Sequence, residues 1–202
     1  MSLNEIADAY YSPLTELLSP SLLTSLKMYQ KGIEIETKHF SVLNMSKHLE
    51  YSHDQLDYFI SRACWSERHF NRLRFQKDIH FSQSNKFDMV FDDSGMLKYT
   101  RRPYFVAPGW IGNLGKVDKC LSNVFANLIG ANENIPFDLE TYLSSNKLVG
   151  GQADWEFQSK LDLMLSLLSR ICFAAKENGF QIGYAIFDLW FAAGWVLSKE
   201  IV

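Results

Sequence analysis

Two aspartates offer the most direct chemistry in this sequence. Asp93 follows the apolar segment Phe87-Asp88-Met89-Val90-Phe91, and Asp188 follows the run from Gln181 to Phe187. Two convergent carboxylates with no competing His or Cys ligand make an all-oxygen site, which suits a hard cation such as Mg²⁺ or Mn²⁺. Bound there, such cations activate an attacking hydroxyl and steady the leaving oxygen in phosphodiester cleavage. Two acids alone form an incomplete cage. The same residues also have a plainer use, because Asp starts turns and caps helices. Asp188 then caps a final helix, and Asp92 or Asp93 begins a turn at Ser94-Gly95.

The pattern around these acids predicts the elements that hold them. Phe87–Phe91 reads as a strand ending in the turn Asp92-Asp93-Ser94-Gly95. A second strand is expected around Tyr104 to Ala107, before Pro108-Gly109, and a third from about Leu121 to Ile129. A loop with Pro136 and a short apolar segment, Phe137 to Leu143, come next, and Gly150-Gly151 breaks the chain. A long amphipathic helix is predicted from Phe157 to Glu177, with Leu161, Met164, Leu165, Leu168, Ile171 and Cys172 at helical spacing. Asn178-Gly179 ends it through a left-handed residue. Gln181 to Phe187 is a continuous apolar strand of the kind buried on both faces, and a last helix is expected from Leu189 to about Lys199.

Three strands with short links form an antiparallel meander, and the long helix is then a crossover returning the fourth strand parallel to one of them. If that neighbour is the first strand, Asp93 and Asp188 both sit just past the carboxyl ends of adjacent strands. Open α/β sheets place their ligands at that edge.

Residues 1 to about 80 read as helical. A short amphipathic pattern, Leu22, Leu23, Leu26 and Met28, follows Pro20. Two further helices are predicted. The first runs roughly from Phe40 to Leu49, with Phe40, Leu43 and Leu49 as apolar contacts. The second runs from Ser52 to Ala63, with Ser52 and Gln55 placed as a capping box and Leu56, Phe59 and Ile60 on one buried face. Two short helices with a tight connection suit a helix-turn-helix, and equally any small helical domain. Arg62, Arg68, Arg72 and Arg74 cluster near Trp65 and Phe70, where guanidinium groups can hold phosphate oxygens or simply cover a solvated helix face.

Net charge is −3, yet residues 62 to 119 hold eleven Lys/Arg against six Asp/Glu. A positive centre between acidic ends suits phosphate binding, through counterion release; it also describes a basic face with no partner. The three cysteines are too scattered for a disulfide framework or a zinc pattern. With no apolar run long enough for a membrane span, a reducing bacterial cytoplasm is the expected setting.

Combined spacing over about residues 37 to 195 resembles the DDE-type insertion-sequence transposases. Asp92-Asp93-Ser94-Gly95 with Lys98 is similar to the family's opening Asp-Asp-Thr/Ser-Gly segment. Gly115-Lys116-Val117-Asp118-Lys119-Cys120 is similar to its Gly-Lys-Val-x-x-Cys element. Pro136, Tyr142-Leu143, Lys160 and Phe187-Asp188-Leu189-Trp190-Phe191 continue the match. The resemblance implies that Asp93 and Asp188 are the first two catalytic, metal-holding acids, with Mg²⁺ or Mn²⁺ as cofactor. It also implies that Lys98, Lys116 and Lys119 face phosphates of double-stranded DNA at transposon ends.

The implied fold class is α/β, α+β overall: a helical, helix-turn-helix-like DNA-binding region over residues 1–80, then an incomplete ribonuclease-H-like mixed sheet with flanking helices over 81–202. The family's third acid, a Glu on a later helix, has no counterpart here, since Glu200 follows Asp188 too closely. The resemblance therefore implies a truncated, catalytically incomplete copy, or a DNA-binding remnant pairing with full-length transposase or with itself. An exposed sheet edge would favour that pairing.

Overall fold

The computed structural model describes residues 11–35, 41–97, 106–143, 158–188 and 191. The chain divides into two compact units, Met1–Lys77 and Asp78–Val202. Among the described residues no helix is long and apolar enough to cross a membrane.

The first unit is helical. A 3-10 turn, Ser12–Glu16, precedes α1 (Pro20–Ile35), α2 (Val42–Ser46), α3 (His53–Ser61) and α4 (Glu67–Phe81), the last of which runs across the division between units. The predicted capping box closes α3: the Ser52 hydroxyl accepts from the Gln55 backbone N–H, and the Gln55 side chain accepts from that of Ser52. Each bond satisfies a donor that the first helical turn leaves open. Leu14, Leu18, Leu26 and Phe59 form the core, with Trp65 packed against them. The Trp65 ring stacks on Phe59 at 5.6 Å and donates its indole N–H to the Phe59 carbonyl.

Two expected contacts of this unit are corrected. Leu43 and Ile60 are exposed, and Met45 is the residue that α2 buries. The helix expected from Phe40 to Leu49 is one turn only, because Ser41 caps Asn44 and the chain turns again at Lys47. Phe40 itself lies outside the described residues.

The second unit is a five-stranded mixed sheet with one long helix, α5 (Lys160–Asn178), in a ribonuclease-H-like arrangement. Its strands are β1 (Lys86–Leu97), β2 (Ala107–Ile111), β3 (Lys116–Ile129), β4 (Asn134–Tyr142) and β5 (Gln181–Phe187), in the order β2-β3-β1-β5, with β4 also on β3. β1 and β3 are antiparallel, whereas β5 returns parallel to β1, the neighbour on which the two-acid geometry depends. α5 begins at a Ser159–Asp162 capping box and ends at Gly179, whose φ of 74° is the left-handed value expected there.

Alternation along the strands places Phe87, Met89 and Phe91 on the same face as Val124, Ala126 and Leu128, and all six are buried. α5 packs on β3, β4 and β5, burying Leu161, Met164, Leu167, Leu168 and Ile171. Arg170 ties it to β4 through Asp138 and Glu140, each at 2.6 Å.

The expected meander of the first three strands is not formed, because β1 pairs directly with β3 and β2 lies beyond β3. The structure revises four further expectations here. First, Asp92-Asp93-Ser94-Gly95 is no turn: all four residues stay in β1, opposite Phe125, Val124, Asn123 and Ser122. Second, Pro108-Gly109 lies inside β2 rather than after a strand, since β2 pairs with β3 alone and needs no second ladder from Pro108. Third, the segment around Pro136 and Phe137 is strand β4, with a register shift that accommodates the proline. Fourth, β5 is largely exposed, with Tyr184 75% accessible, and Cys172 of α5 is exposed too. Tyr104 and the expected final helix, Leu189 to about Lys199, lie outside the described residues.

Candidate active site

The last pair of the parallel β1–β5 ladder is Phe91 with Phe187. The next residue on each strand is an acid, Asp92 and Asp188, and Asp93 lies one step further along β1. Asp93 is therefore inside the antiparallel ladder yet past the carboxyl end of the parallel one. Where β5 stops, β1 continues on β3, and a cleft of about 1090 Å³ forms there. Asp92, Asp93 and Asp188 all line it, together with Lys160 and the backbone-rich stretch Gly109–Gly112.

Asp93 and Asp92 differ in environment. Alternation puts Asp93 on the α5 side of the sheet with Phe91, where its carboxylate accepts a charge-assisted hydrogen bond from the Lys160 ammonium. Asp92 faces the other way, is exposed, and its Oδ1 accepts the Asp93 backbone N–H at 2.8 Å. Asp188 is exposed, and its carbonyl accepts from the Phe191 N–H.

Lys160 is the residue whose role the sequence left unassigned. It stands at the first position of α5, and its Nζ also lies 5.6 Å from the centre of the Tyr142 ring. A helix N-terminus carries partial positive charge and mildly disfavours a lysine, a cost that the contact with the Asp93 carboxylate offsets.

Cys120 packs beside the cleft. A Cβ on Gly109 would come within 2.7 Å of its Sγ, and one on Gly95 within 2.8 Å of the Trp110 carbonyl oxygen. These glycines let the strands approach closely. Burial pushes the Cys120 thiol above its usual pKa; Lys160 opposes that shift, and Asp118 and Asp93 add to it.

The basic residues separate into groups. Arg62, Arg68 and Arg72 are exposed, the last two one helical turn apart on α4. Arg74 is partly covered and bonds the Asn71 side chain through Nε and Nη2, at 3.0 and 2.7 Å. Lys116 pairs with Asp118 at 2.8 Å; this hydrogen bond, and then the Lys119 backbone N–H, hold the Asp118 carboxyl below the usual range. Strand alternation puts Lys116 and Lys119 on opposite faces of β3. Lys98 lies outside the described residues.

The donor set suits a hard divalent cation, since the acids of the cleft offer oxygen only. Among the described residues, no group of three or more His, Cys, Asp or Glu is gathered closely enough to hold a metal ion. No curated protein matches the chain. A family model described as DDE superfamily endonuclease matches residues 16–192.

Proposed function

Because the chain belongs to the DDE superfamily endonuclease family, we propose that it performs transposase-type, divalent-metal-dependent chemistry on DNA phosphodiesters at the cleft where β5 ends beside β1. The family acts on nucleic acid and generally uses a divalent metal. The observation that carries the proposal is the shared cleft of Asp93 and Asp188, reached from adjacent parallel strands.

In this reading Asp93 and Asp188 hold Mg²⁺ or Mn²⁺ through carboxylate oxygens. When bound, the cation supplies Lewis-acid stabilisation of the phosphate and activation of the attacking oxygen. The protein's own groups do the positioning. Lys160 holds the Asp93 carboxylate through its hydrogen bond, and Asp92 fixes the backbone at Asp93 by accepting its N–H. Arg62, Arg68, Arg72 and Arg74 of the helical unit, with Lys98, Lys116 and Lys119, contact phosphates of double-stranded DNA, which sets register without reading sequence.

Nicking of supercoiled plasmid tests the proposal. Mn²⁺ or Mg²⁺ converts the plasmid to open circles, EDTA prevents this, and Asp93→Asn slows it by at least ~100-fold, beyond the usual effect of a residue outside the metal's ligand shell. Nicking that is unchanged in Asp93→Asn contradicts the assignment. A second reading, DNA binding without cleavage in a regulatory partner of full-length transposase, is favoured by the small number of acids gathered among the described residues. It predicts salt-sensitive DNA binding with no nicking at any metal concentration.

A further inference from the structure

We propose that Lys160 is a built-in counter-ion for Asp93 that a divalent cation must displace, so that this lysine sets the metal affinity of the cleft. The inference rests on the reading of Asp93 as a metal-holding acid. Lys160 donates to Oδ2 of Asp93, and the two side chains are only 21% and 30% exposed, so the pair is substantially shielded from water. An ammonium on that oxygen takes the position that a metal bound through Oδ2 would need.

Three features show that this contact is specific rather than a passing surface pair. Lys160 is the first residue of α5, where the helix dipole opposes a positive charge. The acid nearest in sequence, Asp162, is engaged in the capping box with Ser159, so Lys160 turns to β1, 67 positions away in sequence. The ring of Tyr142 flanks the ammonium at 5.6 Å and favours a cation there. The consequence is a carboxylate preoriented before metal arrives. The same contact weakens metal binding, because the ion pair must break. Lys160 thus acts through Asp93, as a positioning residue.

Mn²⁺ titration followed by electron paramagnetic resonance on the full chain tests this without reference to turnover. Lys160→Met and Lys160→Gln should each bind Mn²⁺ about tenfold more tightly than wild type. Lys160→Arg keeps the counter-charge and should stay within about threefold of wild type. Asp93→Asn should bind at least about tenfold more weakly. If Asp93→Asn loses binding while Lys160→Met and Lys160→Gln bind no tighter than wild type, the counter-ion role is overturned and the Asp93 site stands. If wild type and Asp93→Asn bind alike, the site itself is wrong and the inference falls with it. Two neutral variants guard against one of them failing to fold, which circular dichroism reports.

Discussion

Asp93 takes part in three relations at once: it continues the buried row of β1, its N–H is held by Asp92, and its carboxylate meets Lys160. Cys120, on the same face of the sheet, is the neutral counterpart, a thiol kept protonated by burial. A depressed ionisation of this kind has a direct readout. Thiolate is the nucleophile in alkylation, and the raised pKa of Cys120 means its thiolate fraction grows only at higher pH. Iodoacetamide should therefore modify exposed Cys64 and Cys172 first in the folded protein. Cys120 should lag by at least ~10-fold at neutral pH, as mass spectrometry of the peptides would show; equal rates at all three would mean that β3 is open there. At this scale the sequence pointed to Asp93 and Asp188, because acids at the ends of apolar runs stand out, and both line one cleft. The Lys160 contact was not, since its partners are 67 positions apart and only the fold joins them.

The decisive element is β1, which runs as a strand through four residues whose types favour a turn. β3 explains this, because it supplies a register partner for each of Asp92, Asp93, Ser94 and Gly95. Gly95 serves close approach here rather than turning. A methyl group at that position would meet the Trp110 carbonyl oxygen at 2.8 Å, and a backbone atom cannot swing aside as a side chain can. Gly95→Ala should thus cost about 1–3 kcal/mol by forcing β1 and β2 apart, measured as a lower urea midpoint. A midpoint equal to wild type would show that β2 yields freely. The Ser52–Gln55 capping box, the Gly179 stop and β5 were readable because each rests on local chemistry. β4 was not, since Pro136 reads as a strand breaker until its register shift is seen. The apolar run of β5 suggested burial on both faces, yet periodicity cannot tell a central strand from an outer one.

Across the whole molecule, charge and fold are distributed unevenly. Net charge is −3, but the segment from Arg62 to Lys119 is strongly basic and spans the end of the helical unit and the start of the sheet. The order of elements was enough to predict a parallel return through the long helix, because connection rules leave few alternatives; the meander was not, since β1 pairs directly with β3 and β2 lies beyond β3. The placement of the acids then followed from topology. The cation position is the claim on which the functional account depends, and Fe²⁺-directed backbone cleavage tests it most directly. Fe²⁺ with ascorbate and peroxide substitutes for Mg²⁺ and cuts the chain beside the bound ion. The account predicts fragments ending near Asp93 and near Asp188, suppressed by excess Mg²⁺ and lost in Asp93→Asn. Cleavage centred instead on Asp138 and Glu140, or spread evenly along the chain, would contradict it.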